Sequence, residues 1–184
     1  MSVFTNPASS AVEDAQAYVV AVLGLLGDSD PIEVLRQTPS ALGRVLEEVS
    51  TPQLRQPEAP GKWSMSEVLQ HLADSELVGG YRFRMVLAED RPRLQGYDQD
   101  LWAQRLSYRD GDPREAVVRF TVLRGANLRL LERVTREDLQ RVGLHQERGE
   151  ESLDRLIRLY AGHDLLHLRQ LERIRGTQSR EPKA

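Results

Sequence analysis

Apolar residues recur at steps of three and four along most of this chain, the spacing of helices that bury one face. Four long helical segments stand out once that periodicity is combined with its punctuation. The first spans Ala11–Leu26 and stops at Gly27-Asp28-Ser29-Asp30-Pro31. Two shorter pieces follow, Pro31–Gln37 and Pro39–Val49, the second with Thr38 as its cap. Pro52, Pro57, Pro60 and Gly61 make Ser50–Gly61 an irregular loop. A second long helix starts at Ser64, whose spacing to Glu67 is that of a capping box, and reaches Glu89. Gly79-Gly80 in its middle is a candidate for a close helix contact. Arg91–Tyr108 reads as loop around a short helix, Asp98–Leu106. Asp112-Pro113 opens a third long helix that continues to Val134. A short turn from Thr135 and a polar loop, Gly143–Glu150, lead to the last helix, Glu151–Arg175, with Gly176 as its C-cap. Residues 1–176 form one domain, and the polar stretch 177–184 is expected to be a disordered tail.

The last helix carries the sharpest signal. Leu153, Leu156, Tyr160, His163, His167, Gln170 and Ile174 trace one stripe, and its apolar ends mark it as the inward face. Two histidines and a glutamine therefore interrupt a hydrophobic seam, where a polar group costs free energy unless it finds a partner. His163 and His167 are four residues apart, so both imidazoles project from one side of the helix. His71 lies likewise on the stripe Val68, His71, Leu72, Ser75, Val78 of the second long helix. If the two helices pack together, three neutral imidazoles converge, the ligand set of a divalent-metal site with an open position.

Composition narrows the alternatives. Of the 184 residues 40% are hydrophobic and only 5% aromatic, and β-branched residues are sparse beside Leu, Ala, Glu and Arg, which favours an all-α fold. A net charge of −3 leaves no basic footprint for nucleic acid. The many arginines alternate with acids along helices and read as solvated faces. The chain has no cysteine, which excludes disulfides, thiolate ligands and a cysteine nucleophile and fits a reducing interior. The apolar run Ala15–Leu26 is too short to span a bilayer and follows Glu13 and Asp14 where a signal peptide would have basic residues. A cytoplasmic location without membrane contact is expected.

A lone histidine on an apolar face is usually a core residue satisfied by one hydrogen bond; three on inward stripes call for a shared partner. Asp164 stands where the His-Glu-x-x-His metalloprotease helix has its glutamate, so that reading fails. His145, in the polar loop, reads as a surface or loop-ordering residue, with a fourth ligand or substrate contact as the alternative. Gln170, which shares the inward stripe, and Asp74, three residues after His71, are candidates to accept a ligand imidazole's second N–H. More ordinarily, Asp74 and Glu76 would each solvate a helix face or pair with an arginine. No Ser-His-Asp order, glycine-rich phosphate loop or paired catalytic carboxylate stands out.

Pro60-Gly61-Lys62-Trp63-Ser64, Glu67 and His71-Leu72-Ala73-Asp74-Ser75, together with His163-x-x-x-His167, resemble the DinB superfamily. The closer branch is the YfiT-like proteins, long labelled metal-dependent hydrolases, which includes bacillithiol transferases. Asp30-Pro31, Tyr97-Asp98-x-Asp100-x-Trp102-Ala103 and the His145…Gly149 loop extend the resemblance over most of the chain. It implies a four-helix bundle with a long crossover and extra short helices. It also implies His71, His163 and His167 as ligands to zinc or nickel, and a homodimer. Relatives in that branch often have a further histidine directly before the last ligand, where this chain has Leu166.

The leading expectation is a transferase that joins an exogenous low-molecular-weight, bacillithiol-like thiol to an electrophilic small molecule in detoxification. Hydrolysis by metal-activated water is the alternative within enzymes, although neither histidine stripe offers it a convincing general base. A non-enzymatic metal-binding or structural bundle is the alternative outside them. An open, polar mouth above the histidines separates the enzymes from a sealed structural site.

Overall fold

The computed structural model describes residues 12–178, and it is built almost wholly of helices. They are α1 (Val12–Leu26), α2 (Pro31–Glu48), α3 (Thr51–Arg55), α4 (Met65–Ala88), α5 (Gln99–Arg105), α6 (Pro113–Leu131) and α7 (Leu153–Gln178). Helices α2, α6, α4 and α7 form a closed ring of neighbours, and α1 lies against α7. Ala11 and residues 179–184, at the two expected ends, lie outside the described residues.

Local sequence explains several boundaries. Ser64 Oγ accepts the backbone N–H of Glu67, and the Glu67 carboxylate accepts the Ser64 N–H, so α4 starts with the expected capping box. Asp98 caps α5 and Asp112 caps α6, each by accepting backbone N–H groups of the first turn. Helix α6 ends at Leu131, three residues short of expectation.

Helix α2 corrects the expected break at Thr38-Pro39: it runs unbroken from Pro31 to Glu48 with Pro39 inside it. A proline there removes the N–H that would bond the carbonyl of Leu35, at a cost of about 3 kcal/mol or more. Arg124 of α6 supplies the missing donor, its Nη1 lying 2.8 Å from Leu35 O. The Thr38 hydroxyl donates to Val34 O at 2.9 Å, so this residue bonds back into the helix instead of capping a new one.

Two more segments differ from the loops expected. Within 50–61, Ser50 and Gln53 form a capping box that opens α3. Residues 142–152 form a hairpin of β2 (Val142–His145) and β3 (Gly149–Ser152), and β2 also pairs in parallel with β1 (Arg93–Leu94). Arg141 pins this sheet to the end of α4 by donating to the carbonyls of Val86 and Glu89. Helix α7 starts at Leu153 and passes through Gly176 to Gln178, so Gly176 is no C-cap.

Close backbone approach sets the relative positions of α1, α4 and α7. A Cβ on Gly79 would lie 2.5 Å from the Tyr160 ring, and one on Gly80 would lie 2.5 Å from the Asn127 amide. Gly79-Gly80 is therefore the tight contact expected of it. A Cβ on Gly162 would meet the Val22 carbonyl oxygen at 2.2 Å, which seats α1 directly over the turn that carries His163.

Candidate metal centre

Helix α4 presents His71 and α7 presents His163 and His167 to one point in the bundle, all three buried. One ligating nitrogen from each can be chosen so that all lie within 4.8 Å of one another. His71 Nε2 is 3.1 Å from His163 Nε2, and the His163 and His167 ring centres are 4.4 Å apart. Metal–nitrogen bonds of about 2.0–2.1 Å in a tetrahedral set put the nitrogens about 3.3 Å apart. The His71–His163 pair is close to that spacing, and the third nitrogen lies within 4.8 Å of both.

Burial keeps these imidazoles neutral, as ligation demands. Desolvation, and then the neighbouring imidazoles, hold His71 and His163 well below the ordinary histidine range. Burial lowers His167 to about 4, although the bond to Gln170 opposes it. Gln170 Oε1 lies 2.8 Å from His167 Nδ1 and accepts its proton, which fixes the tautomer and leaves Nε2 with a lone pair. That Nε2 is buried without a hydrogen-bond partner, as is Nδ1 of His71. A bare acceptor facing two other imidazole nitrogens is what a cation would satisfy.

Asp74 takes the more ordinary of its two expected roles, pairing with an arginine, and leaves His71 Nδ1 without a partner. Its carboxylate accepts the Tyr108 hydroxyl at 2.7 Å and pairs with Arg119 at 3.6 Å, which draws it toward α6. Glu76 and Asp164 are also committed elsewhere, since both clasp Arg124 at the centre of the bundle. Arg124 Nη1 and Nη2 lie 2.6 and 3.1 Å from the two Asp164 oxygens, and Nη2 lies 2.8 Å from Glu76 Oε2. Asn127 donates to the other Glu76 oxygen at 2.8 Å. Arg124 and Arg82 are buried, which corrects the expectation that the arginines form solvated faces.

A cavity of about 90 Å³ adjoins the cluster and is lined by His71 and His163 but not His167. Its walls also hold Tyr18, Arg82, Tyr97, His145 and Arg148. Burial pushes the Tyr97 hydroxyl up to about 12 and the Tyr18 hydroxyl higher still, so both phenols stay protonated. His145 is a buried residue, which corrects its placement at the surface. Its Nδ1 accepts the N–H groups of Glu147 and Arg148, so it does order the hairpin turn. Sequence reasoning missed Arg82 and Arg148 as wall residues; nothing in their local pattern sets them apart from the other arginines.

These features fit what comparison with known proteins finds. The DinB superfamily matches residues 35–171, and the chain belongs to that superfamily. A Bacillus subtilis relative named "Putative metal-dependent hydrolase YfiT" is 29% identical over 149 residues, covering 79% of this chain and 84% of its own length. A Bacillus licheniformis relative, also named a "Putative metal-dependent hydrolase", is 29% identical over 139 residues, 75% of this chain and 79% of its own. The solved structure of Bacillus subtilis YfiT matches with a TM-score of 0.71 at 26% identity and 91% coverage of both chains. It is described as "a probable metal-dependent hydrolase with an unusual four-helix bundle topology", the topology this chain shares.

Proposed function

We propose that His71, His163 and His167 hold one zinc or nickel ion and that the chain is a metal-dependent S-transferase. In this reading it joins a low-molecular-weight thiol to an electrophilic small molecule. The observation that carries it is the cavity, which gives a small molecule access to two of the three clustered imidazoles. A sealed cluster would have favoured a structural role. When bound, the ion would lower the pKa of a coordinated thiol and hold the thiolate ready for an electrophile. The chain's own part is to keep three imidazoles neutral, to fix the His167 tautomer through Gln170, and to wall the site with protonated phenols.

Hydrolysis is the second reading, favoured by the names of the relatives. It asks for a base beside the reacting water. Asp164, Glu76 and Asp74 are each engaged by an arginine, which supports the transferase reading because a thiol brings its own nucleophile. Among the described residues no helix is long and apolar enough to cross a membrane. A cytoplasmic homodimer, acting on small molecules without nucleic acid or membrane, completes the proposal, and light scattering of the purified chain tests the assembly.

The deciding experiment is elemental analysis of the purified protein beside His71→Ala and His167→Ala. About one ion per chain, lost in both variants with helix content kept, supports the site; unchanged metal in either variant overturns it. Consumption of thiol in step with electrophile then supports transfer. Electrophile turnover that needs no thiol favours hydrolysis.

A further inference from the structure

The cavity wall that includes two of the histidines also carries a positive charge that no described residue neutralises. Arg82 is 6% exposed. Its hydrogen bonds go to neutral oxygens, from Nη1 to the Tyr160 hydroxyl at 3.2 Å and from Nη2 to the Gln95 carbonyl at 2.6 Å. Among the described residues no carboxylate lies within ion-pair distance of it. Arg124 shows the alternative in the same bundle, a buried guanidinium held by two carboxylates. A buried cation without a counter-charge is costly, and Arg82 faces a cavity that could admit one.

A second donor faces the same space. His145 is 3% exposed, and its Nδ1 accepts two backbone N–H groups, so the proton resides on Nε2. That Nε2 is buried without a partner, and His145 is one of the residues lining the cavity. Arg148 adds a third donor group, although Glu151 already balances its charge at 2.7 Å. Glu147, the one carboxylate among the lining residues, is exposed at the rim. Tyr160 lies between Arg82 and the cluster: its hydroxyl accepts from Arg82, and its ring centre is 6.4 Å from that of His163.

We propose that Arg82 and His145, with Arg148 beside them, form an anion subsite for a carboxylate of the small molecule whose sulfur or reacting group sits at the three histidines. The inference rests on the proposed function for the second half of that statement and on Arg82 and His145 alone for the first. A charged acceptor between the guanidinium fork and the imidazole N–H would give Arg82 the counter-charge it lacks and His145 Nε2 the partner it lacks.

Two measurements keep the parts separable. In the first, ω-mercaptocarboxylates from mercaptoacetate to 6-mercaptohexanoate are titrated calorimetrically into zinc-loaded protein, each against the matching mercaptoalcohol. The carboxylate of best-fitting length should bind about tenfold or more tightly than its alcohol. Arg82→Gln should reduce that preference to within about twofold while zinc content and alcohol affinity stay unchanged. His145→Asn keeps an acceptor for the hairpin N–H groups and removes the Nε2 donor, so it should weaken the preference with the fold intact. Arg82→Lys, which keeps the charge without the fork, should retain part of it.

In the second, glutarate is titrated into metal-free protein, where binding should raise the melting temperature of the wild type and not of Arg82→Gln. Equal affinity for carboxylate and alcohol in the wild type overturns the subsite, as does a preference that survives both Arg82→Gln and His145→Asn. Glutarate stabilisation without zinc uptake would keep the subsite and sink the metal reading.

Discussion

Gln170 Oε1 accepts from His167 Nδ1 at 2.8 Å, one turn along the same helix. The bond fixes which ring nitrogen carries the proton and turns the other toward His71 and His163. Removing such an orienting acceptor commonly weakens metal binding about 10–100-fold. Gln170→Leu should therefore lose zinc affinity by that factor, measured by competition with a chelator. Gln170→Glu keeps an acceptor and should bind zinc at least as well as the wild type. Equal affinity in wild type and Gln170→Leu would remove Gln170 from the site.

Arg124 and Pro39 make a second linked pair, joined through the Leu35 carbonyl. Arg124→Met would strand Glu76 and Asp164 in the core and leave Leu35 O without a donor. Breaking a buried ionic network by removing one partner costs about 3–5 kcal/mol. In Pro39→Ala the restored N–H can reach Leu35 O, so the double variant should recover about 1 kcal/mol of the loss. Denaturant unfolding of the four proteins in a cycle checks this. Strict additivity would mean that Arg124 does not support the carbonyl.

What the chain revealed in advance was local. The Ser64–Glu67 capping box, the Asp112-Pro113 start of α6 and the inward histidine stripe of α7 each depend on residues within a few turns. What it hid depends on partners far along the chain. The continuity of α2 needs Arg124, 89 residues beyond Leu35. The β2–β3 hairpin is polar and short, and it is held by β1 and by Arg141 bonding to α4. Arg82 and Arg124 look like any helix arginine until tertiary contacts bury them. Gly176 has the composition of a C-cap but is not among the positive-φ glycines of the structure, so the helix continues past it.

Gly162, next to His163, has little room for any side chain. An added Cβ would press on the Val22 backbone oxygen at 2.2 Å, and a backbone carbonyl cannot rotate away. Gly162→Ala should push α1 off α7 and cost about 1–3 kcal/mol, typical of overpacking. Gly43→Ala is the control: it lies inside α2 with nothing near the new methyl. That change should stabilise by about 0.4–1 kcal/mol. Melting temperatures that move in opposite directions support the reading; a neutral Gly162→Ala would mean that α1 is held by other contacts.

His145 should make the protein acid-sensitive. Burial first, then the charges of Arg148 and Arg82, lower its pKa from 6.5 to about 3. Between those values the unfolded chain binds a proton that the folded protein refuses. Its contribution is therefore fully present above pH 6.5 and is lost as the pH falls toward 3. The slope from this one group is at most about 1.4 kcal/mol per pH unit. His145→Asn cannot take up that proton, so its melting temperature should fall less than the wild type's between about pH 7 and pH 4. Other buried histidines act equally in both proteins and cancel in the difference. Parallel curves would mean that His145 is free to protonate in the folded state.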